Sequence, residues 1–253
     1  MVSKGKEFKG RVALVTGGSR GIGRAVCLAL AQEGADIALN YVTNTEAAEQ
    51  TRRDIEALGV RCALCQADVS DPRAVDAMVT EAGRALGPID LLVTAAGIAH
   101  FGSHEEVDFD LWQRLMKINV DGTFLPIMAV KDGMIERRFG RIVCIASIAG
   151  LAPRGQMLPY STSKAAVIAF ARSCAQAFAP DVRVNSLAPG LIETDMTADM
   201  TTAVKQSMRD QAFLQRTGQP EEMAETVLYL LSERSSFITG QTLVADGGRV
   251  TLP

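Results

Sequence analysis

Short apolar runs alternate with longer amphipathic ones along almost the whole chain: RVALV then GIGRAVCLALAQEG, DIALNY then TEAAEQTRRDIEALG, RCALCQ then PRAVDAMVTEAGRALG. Alternation of this kind specifies βαβ units, and with them a parallel sheet covered by helices on both faces. The series continues through LLVTAAG, a helical stretch from about Phe109 to Glu136, RIVCIAS, the helix after Tyr160, RVNSLAPG, the helix PEEMAETVLYLLS and a last strand TLVAD. The expectation is an α/β fold, a doubly wound, Rossmann-type sheet of seven mainly parallel strands, forming a single domain over 1–253. Gly34, Gly59, Gly87 and Gly140 are expected to end helices in the left-handed region. The least regular piece, 191–216, is rich in Met and Thr. It reads either as an ordinary helical insertion or as a flap over a pocket at the strand ends.

A chain of 253 residues at 47% hydrophobic content can bury a large core in one domain. Its net charge of −3, pI near 5.5 and lack of a long basic run argue against a nucleic-acid partner, because phosphate binding needs a basic face. No apolar stretch approaches the roughly 18 residues that span a bilayer. The opening MVSKGKEFKG lacks the apolar centre of a signal peptide, so a cytoplasmic protein with no membrane partner is expected. The cysteines Cys27, Cys62, Cys65, Cys144 and Cys174 are odd in number and suit a reducing compartment. Cys62 and Cys65 fall on opposite faces of a strand, and His100 and His104 are the only histidines, so no metal site is expected. Those two histidines, in the loop after Gly97, either line a pocket or stand exposed.

The segment Thr16-Gly17-Gly18-Ser19-Arg20-Gly21-Ile22-Gly23 follows the first strand and opens the first helix. Glycines there let backbone approach a pyrophosphate, while free N–H groups and the helix dipole face the phosphates. The second strand ends in Asn40, Tyr41 and Val42, where an Asp or Glu would select an unphosphorylated ribose; Asp36 lies four residues too early. Arg20 offers a guanidinium that can pair with a phosphate, or it is a surface arginine. Together these features favour NADP(H).

Tyr160 and Lys164 are four residues apart at the head of a helical segment, so phenol and ammonium share a face, with Ser147 thirteen residues upstream at a strand end. A neighbouring cation favours phenolate and is expected to lower the tyrosine pKa. Taken singly, Tyr160 and Lys164 could lie on a solvated helix face, Ser147 could cap a strand end, and Asn119 could make a local hydrogen bond.

Thr16 to Gly23, Asn119, Ser147, Tyr160, Lys164 and Pro189-Gly190, in this order and spacing, together resemble the short-chain dehydrogenase/reductase family over nearly the whole chain. GGSRGIGRA, FGRIVCIASIAG, YSTSKAA, RVNSLAPGLIETDM and FITGQTLVADGG are most similar to 3-oxoacyl-(acyl-carrier-protein) reductases and related NADPH-dependent ketoreductases. The resemblance implies that Tyr160 protonates a carbonyl oxygen as hydride arrives, that Ser147 bonds the same oxygen, and that Lys164 holds the nicotinamide ribose and tunes Tyr160. Asn119 would anchor a water leading to solvent. It also implies Asp68 and Val69 against the adenine, Ala96 and Gly97 along the adenosine ribose, and Ile192 and Thr194 near the carboxamide. Asp68 could instead cap the helix that begins near Pro72.

The family's Asn-Asn-Ala-Gly is here Thr94-Ala95-Ala96-Gly97, which removes a bracing amide, a loss of about 1 kcal/mol. Arg137 and Arg138 could serve as basic residues beside the mouth for an acidic carrier, or form a solvated helix end, whereas Pro180-Asp181 stands where a further cation would help. The expected substrate is a small carbonyl compound or thioester, possibly carried by a protein, and the expected assembly is a homotetramer. The alternatives are an alcohol, sugar or polyol dehydrogenase of the same family, or a non-catalytic dinucleotide sensor.

Overall fold

The computed structural model describes residues 6–198 and 200–251. Seven strands form one sheet in the order β3-β2-β1-β4-β5-β6-β7: β1 Val12–Thr16, β2 Asp36–Tyr41, β3 Cys62–Gln66, β4 Leu91–Thr94, β5 Gly140–Ile145, β6 Val182–Pro189 and β7 Thr242–Ala245. Every pairing is parallel, from Val12 beside Asp36 to Pro189 beside Ala245. The strands can be so apolar because both sheet faces are covered. Leu14, Leu39, Leu92, Ile142 and Leu187 are all inaccessible or nearly so.

The connecting helices are α1 Gly21–Gln32, α2 Thr45–Glu56, α3 Pro72–Leu86, α4 Phe109–Met116, α5 Gly122–Glu136, α6 Leu158–Ala177, α7 Asp195–Ala198, α8 Thr202–Asp210 and α9 Pro220–Leu231. One core layer gathers Val26 and Leu30 of α1, Ile55 of α2 and Val227 and Leu231 of α9; the other gathers Met78 of α3, Ile127 and Met134 of α5 and Val167 of α6. Cys62 packs with the first layer and Cys65 lies in the second, on opposite faces of β3 as the strand period requires. The order in which strands are added reverses between β1 and β4, which opens a crevice at the carboxyl ends of the strands.

Local signals fix most helix ends. Asn44, Asp71, Asp108 and Thr201 each accept a hydrogen bond from the first turn of their helices, contributions of about 1 kcal/mol apiece. The cap of α3 is therefore Asp71 and not Asp68, whose carboxylate instead accepts from the Ser70 backbone at 2.8 Å and its hydroxyl at 2.7 Å. Gly34, Gly59 and Gly87 adopt positive φ as expected, but Gly140 does not. It opens β5 against Met134, and Arg138 takes the left-handed turn at the end of α5 with φ 53°.

The long central helix is continuous from Phe109 to Glu136 but carries one π turn, Lys117–Asp121, between α4 and α5. The irregular stretch 191–216 holds the two short helices α7 and α8. No helix among the described residues is long and apolar enough to cross a membrane.

Candidate active site

The glycine loop between β1 and α1 is braced from beneath. Asn40, on β2 and fully buried, accepts from Gly17 N through Oδ1 at 3.2 Å, and its Nδ2 donates to Cys65 O and Ala67 O at 3.1 and 2.9 Å. The Asn40 carbonyl accepts from Gly18 N at 2.8 Å, and Thr51 donates to Ser19 O at 3.3 Å. Asn40 thus supports the loop from below, and Tyr41 is buried in the core. A Cβ at Gly23 would fall 2.2 Å from Gly17 O, so only glycine lets the helix start this close to the loop.

The first turn of α1 has neither a side-chain cap nor an acidic residue, unlike α2 and α4. The N–H groups of Gly21, Ile22 and Gly23 therefore stand at a helix N-terminus with no internal counter-charge, which fits the pyrophosphate of a dinucleotide. Across the crevice, the Thr16 hydroxyl accepts from both Ala95 N and Ala96 N at 3.1 Å. It braces the turn after β4 where no amide is available at Ala95. Ala96 lies 2.9 Å from a Cβ at Gly17, and Val69 packs on Gly122 at the head of α5.

Four side chains then converge. Ser147 follows β5 and caps a single 3₁₀ turn, its Oγ accepting from Ala149 N at 3.1 Å. Tyr160 and Lys164 occupy the first turns of α6, and both are buried. Close passage of the Ser147 loop over α6 needs Gly150, where a Cβ would lie 2.6 Å from the Lys164 carbonyl carbon. Asn119 sits in the π turn, inaccessible to solvent. Its Oδ1 accepts from Ile98 N at 2.9 Å, while its Nδ2 donates to Ile98 O at 3.0 Å and Ser163 Oγ at 2.9 Å. Ser163 in turn donates to Tyr160 O at 2.8 Å. A π turn inserted at a functional position re-aims one residue without breaking the helix.

Gly97 touches both groups, since a Cβ there would lie 3.1 Å from Asn119 Oδ1 and 3.5 Å from Lys164 Nζ. Tyr160 packs with Leu115 and Ala149, flanked by the partly buried Ile98, Leu111 and Met157, which gives the phenol apolar surroundings.

Burial governs the electrostatics. It pushes the Tyr160 phenol above its usual pKa, against a lowering hydrogen bond from Ser147. It pulls the Lys164 ammonium down to about 8, with the nearby Cys144 thiol acting in the opposite sense. The expected lowering of Tyr160 by Lys164 is not found in this state. Lys164 Nζ donates to Ile145 O at 2.8 Å and stands 5.8 Å from the phenol ring centroid, so desolvation outweighs the cation.

Pro189 and Gly190 end β6, with Gly190 N donating to Ala245 O at 3.0 Å. Ile192 is buried and pairs with Gly218. Thr194 rests on the glycine loop, its Cγ2 3.3 Å from a Cβ at Gly21, and Asp195 stands 3.7 Å from the Arg20 guanidinium. The stretch 191–216 is thus folded against the nucleotide end.

Arg137 and Arg138 do not flank this site. They end α5 at the opposite, amino-terminal ends of the strands, where Arg137 donates to Ile89 O at 2.7 Å beside Asp90. His104 is exposed, while His100 is half-buried with Nε2 3.8 Å from Glu106 Oε2. Sequence reasoning missed the roles of Thr16, Ser163 and Gly150. Ser163, three residues after Tyr160 on the same helix, was the one within reach of a spacing argument.

A family model described as "Enoyl-(Acyl carrier protein) reductase" matches residues 17–249. The chain is 36% identical over 243 residues to 3-oxoacyl-(acyl-carrier-protein) reductase FabG of Aquifex aeolicus, covering 96% of this chain and 98% of that one. It is 37% identical over 239 residues to Nodulation protein G of Azospirillum brasilense, covering 94% and 97%. The crystal structure of a 3-oxoacyl-(acyl-carrier protein) reductase from Brucella melitensis superposes with TM-score 0.91 at 34% identity, covering 97% and 94%. The crystal structure described as "a putative gluconate dehydrogenase" from Agrobacterium tumefaciens gives 0.93 at 28% identity, covering 98% and 99%. On fold, site geometry and sequence together, the chain belongs to the short-chain dehydrogenase/reductase family of oxidoreductases and is closely related to its FabG-like 3-oxoacyl-(acyl-carrier-protein) reductases.

Proposed function

We propose that this protein is an NADP(H)-dependent reductase that turns the carbonyl of a 3-oxoacyl thioester into an alcohol. The observation that carries the reading is the convergence of Ser147, Tyr160, Lys164 and Asn119 at one buried point beside the glycine loop. The uncapped α1 and the approach of Ala96 to Gly17 suit a dinucleotide, whose pyrophosphate would lie on Ser19 to Gly23. Asp68, Val69, Ala96, Gly97, Pro189, Gly190, Ile192 and Thr194 would hold the remainder. Absence of an acid at Asn40-Tyr41-Val42 and the exposed Arg20 support the 2′-phosphorylated form. When bound, the nicotinamide supplies the hydride.

Negative charge gathers on the substrate oxygen in the transition state, so donors aimed there stabilise it preferentially. The Ser147 hydroxyl fixes that oxygen, and the Tyr160 hydroxyl gives it a proton. Lys164, held at Ile145 O, holds the ribose and stabilises the phenolate left behind. Asn119 locks Ile98 and Ser163 around the tyrosine and positions the path by which the proton is restored. The partly buried apolar side chains of Ile98, Leu111 and Met157 beside the phenol would face the acyl portion. A homotetramer is part of the proposal, supported by the exposed apolar ring of Phe124 on α5, which lies 5.5 Å from Phe170 of α6 at a tilt of 44°.

Oxidation of NADPH and of NADH, followed with acetoacetyl thioesters and with free ketones, tests this reading. Turnover of thioesters with NADPH is expected, and failure with every thioester removes it. A second reading, a dehydrogenase of free small alcohols or sugars, is favoured by the engagement of Arg137 with Ile89 O and Asp90 ahead of β4, away from the site, where it offers a carrier no cation.

A further inference from the structure

At the amino-terminal ends of β5 and β6, an open cleft of about 450 Å³ gathers three arginines that the reaction above does not use. Arg138, Arg141 and Arg183 line it together with Asp181, Pro180 and Phe237. Ser147 lies beyond the other end of β5, roughly 20 Å from Arg141 at the rise of an extended strand. The cleft is therefore separate from the reduction site.

Strand register sets two of the arginines side by side, because Arg141 of β5 is the direct partner of Arg183 on β6. Both reach the chain that leaves α9. Arg183 donates to Ser232 O at 2.7 Å, to Ser235 O at 2.8 Å and to Ser235 Oγ at 2.9 Å, and Arg141 Nη2 donates to Glu233 Oε1 at 2.9 Å. Arg138 joins them from the left-handed turn that ends α5, at φ 53°.

These partners fix the guanidiniums without discharging them. Arg183 is only 8% exposed and is held by carbonyls and a hydroxyl. Neither it, nor Arg138, nor Asp181 joins an ion pair among the described residues. The Nε groups of Arg141 and Arg183 are buried with no hydrogen-bond partner among those residues. Burial draws Arg183 down to about 10, with Arg141 acting in the same sense and Glu233 against it. Three cations thus meet one lining carboxylate, and the Glu233 side chain that answers Arg141 is 70% exposed, a pair that contributes little. A planar guanidinium matches the edge of a carboxylate or phosphate. The cleft is larger than a bare oxyanion and of the size that takes small organic ligands, and Pro180 and the fully exposed Phe237 ring give it an apolar wall.

We propose that this cleft binds a small organic anion, its phosphate or carboxylate head on Arg138 and Arg141 in the field of the buried Arg183, and its apolar body against Pro180 and Phe237. An occupant there would brace the turn that leads from α9 into β7. The site does not depend on the reductase reading.

Calorimetric titration with phenyl phosphate, phenylacetate and uncharged benzyl alcohol, at fixed ionic strength and with excess NADP+ to fill the glycine loop, tests the cleft. At least one of the two anions should saturate a single site per chain and bind more tightly than benzyl alcohol. Arg138→Gln, which alters an exposed side chain, should weaken that binding about tenfold, as expected for a lost charge-assisted bond. Asp181→Asn, which removes the lining acid, should tighten it about threefold or more, a gain that misfolding cannot produce. Arg20→Gln, at the glycine loop, should leave the dissociation constant within about twofold of native. Preference for phenyl phosphate assigns a phosphate head, and preference for phenylacetate a carboxylate. The proposal is overturned by no saturable binding of either anion, by equal affinity for benzyl alcohol, by a dissociation constant within about twofold of native in either cleft variant, or by loss of binding in Arg20→Gln.

Discussion

The glycine loop and the covering segment 191–216 lie against each other, yet they are held in opposite ways. The loop is gripped by buried groups: Asn40 beneath Gly17, and Thr51 on Ser19, while Thr16 at its root fixes Ala95 and Ala96. The segment meets the loop through one exposed ion pair, Arg20 to Asp195, with a second, Arg209 to Glu193, inside the segment, and it exposes Met196, Phe213 and Leu214. Buried hydrogen bonds are costly to break, while exposed pairs contribute little. One half of the site is built in advance, and the other is free to adjust to what it covers.

That contrast can be broken most severely at Gly23. A side chain in Gly23→Val must displace Gly17 O, so dinucleotide affinity should fall by at least a factor of about 100, or roughly 3 kcal/mol, in a fluorescence titration with NADPH. Retained affinity would show that the loop is not rigid.

Lys164 comes next. Burial lowers its pKa from 10.5 to about 8, so the unfolded chain binds the extra proton between those values. The stability that Lys164 contributes as a neutral amine is fully present above pH 10.5 and is lost as pH falls through 8. In Lys164→Met the protein without cofactor should lose this slope and gain on the order of 1–3 kcal/mol at neutral pH, while turnover collapses. Denaturant unfolding across this pH range checks it. Asn40→Ala should lower the stability by about 2 kcal/mol, by leaving Cys65 O and Ala67 O unpaired, and should weaken cofactor binding, read by thermal melts with and without NADPH. At the other extreme, Asp195→Ala on the covering segment should change stability by less than about 0.5 kcal/mol.

The same contrast separates what could be read from the chain and what could not. Strand and helix order was legible because period and punctuation record burial locally, and Tyr160, Lys164 and Ser147 were legible because their spacing puts them on adjoining elements. The direction of the Tyr160 shift was not. It depends on how deeply α6 is buried and on Lys164 reaching Ile145 O, facts set by packing across the sheet. Arg137 looked like a free cation at a helix end, but the Ile89 carbonyl that captures it is forty-eight residues away in sequence. Gly140 was mistaken for a helix terminator because a glycine opening a strand and one closing a helix look alike in a string. The cap falls to Asp71 because the Asp68 carboxylate is taken by Ser70 while Asp71 accepts from Arg73 N.

The central claim, that the Tyr160 hydroxyl is the proton donor, is tested most directly by Tyr160→Phe with NADPH affinity and turnover measured on the same preparation. Turnover should fall at least about a hundredfold, within the range removed with a general acid, while the NADPH dissociation constant stays within about threefold of native. Turnover equal to that of the native protein would contradict it.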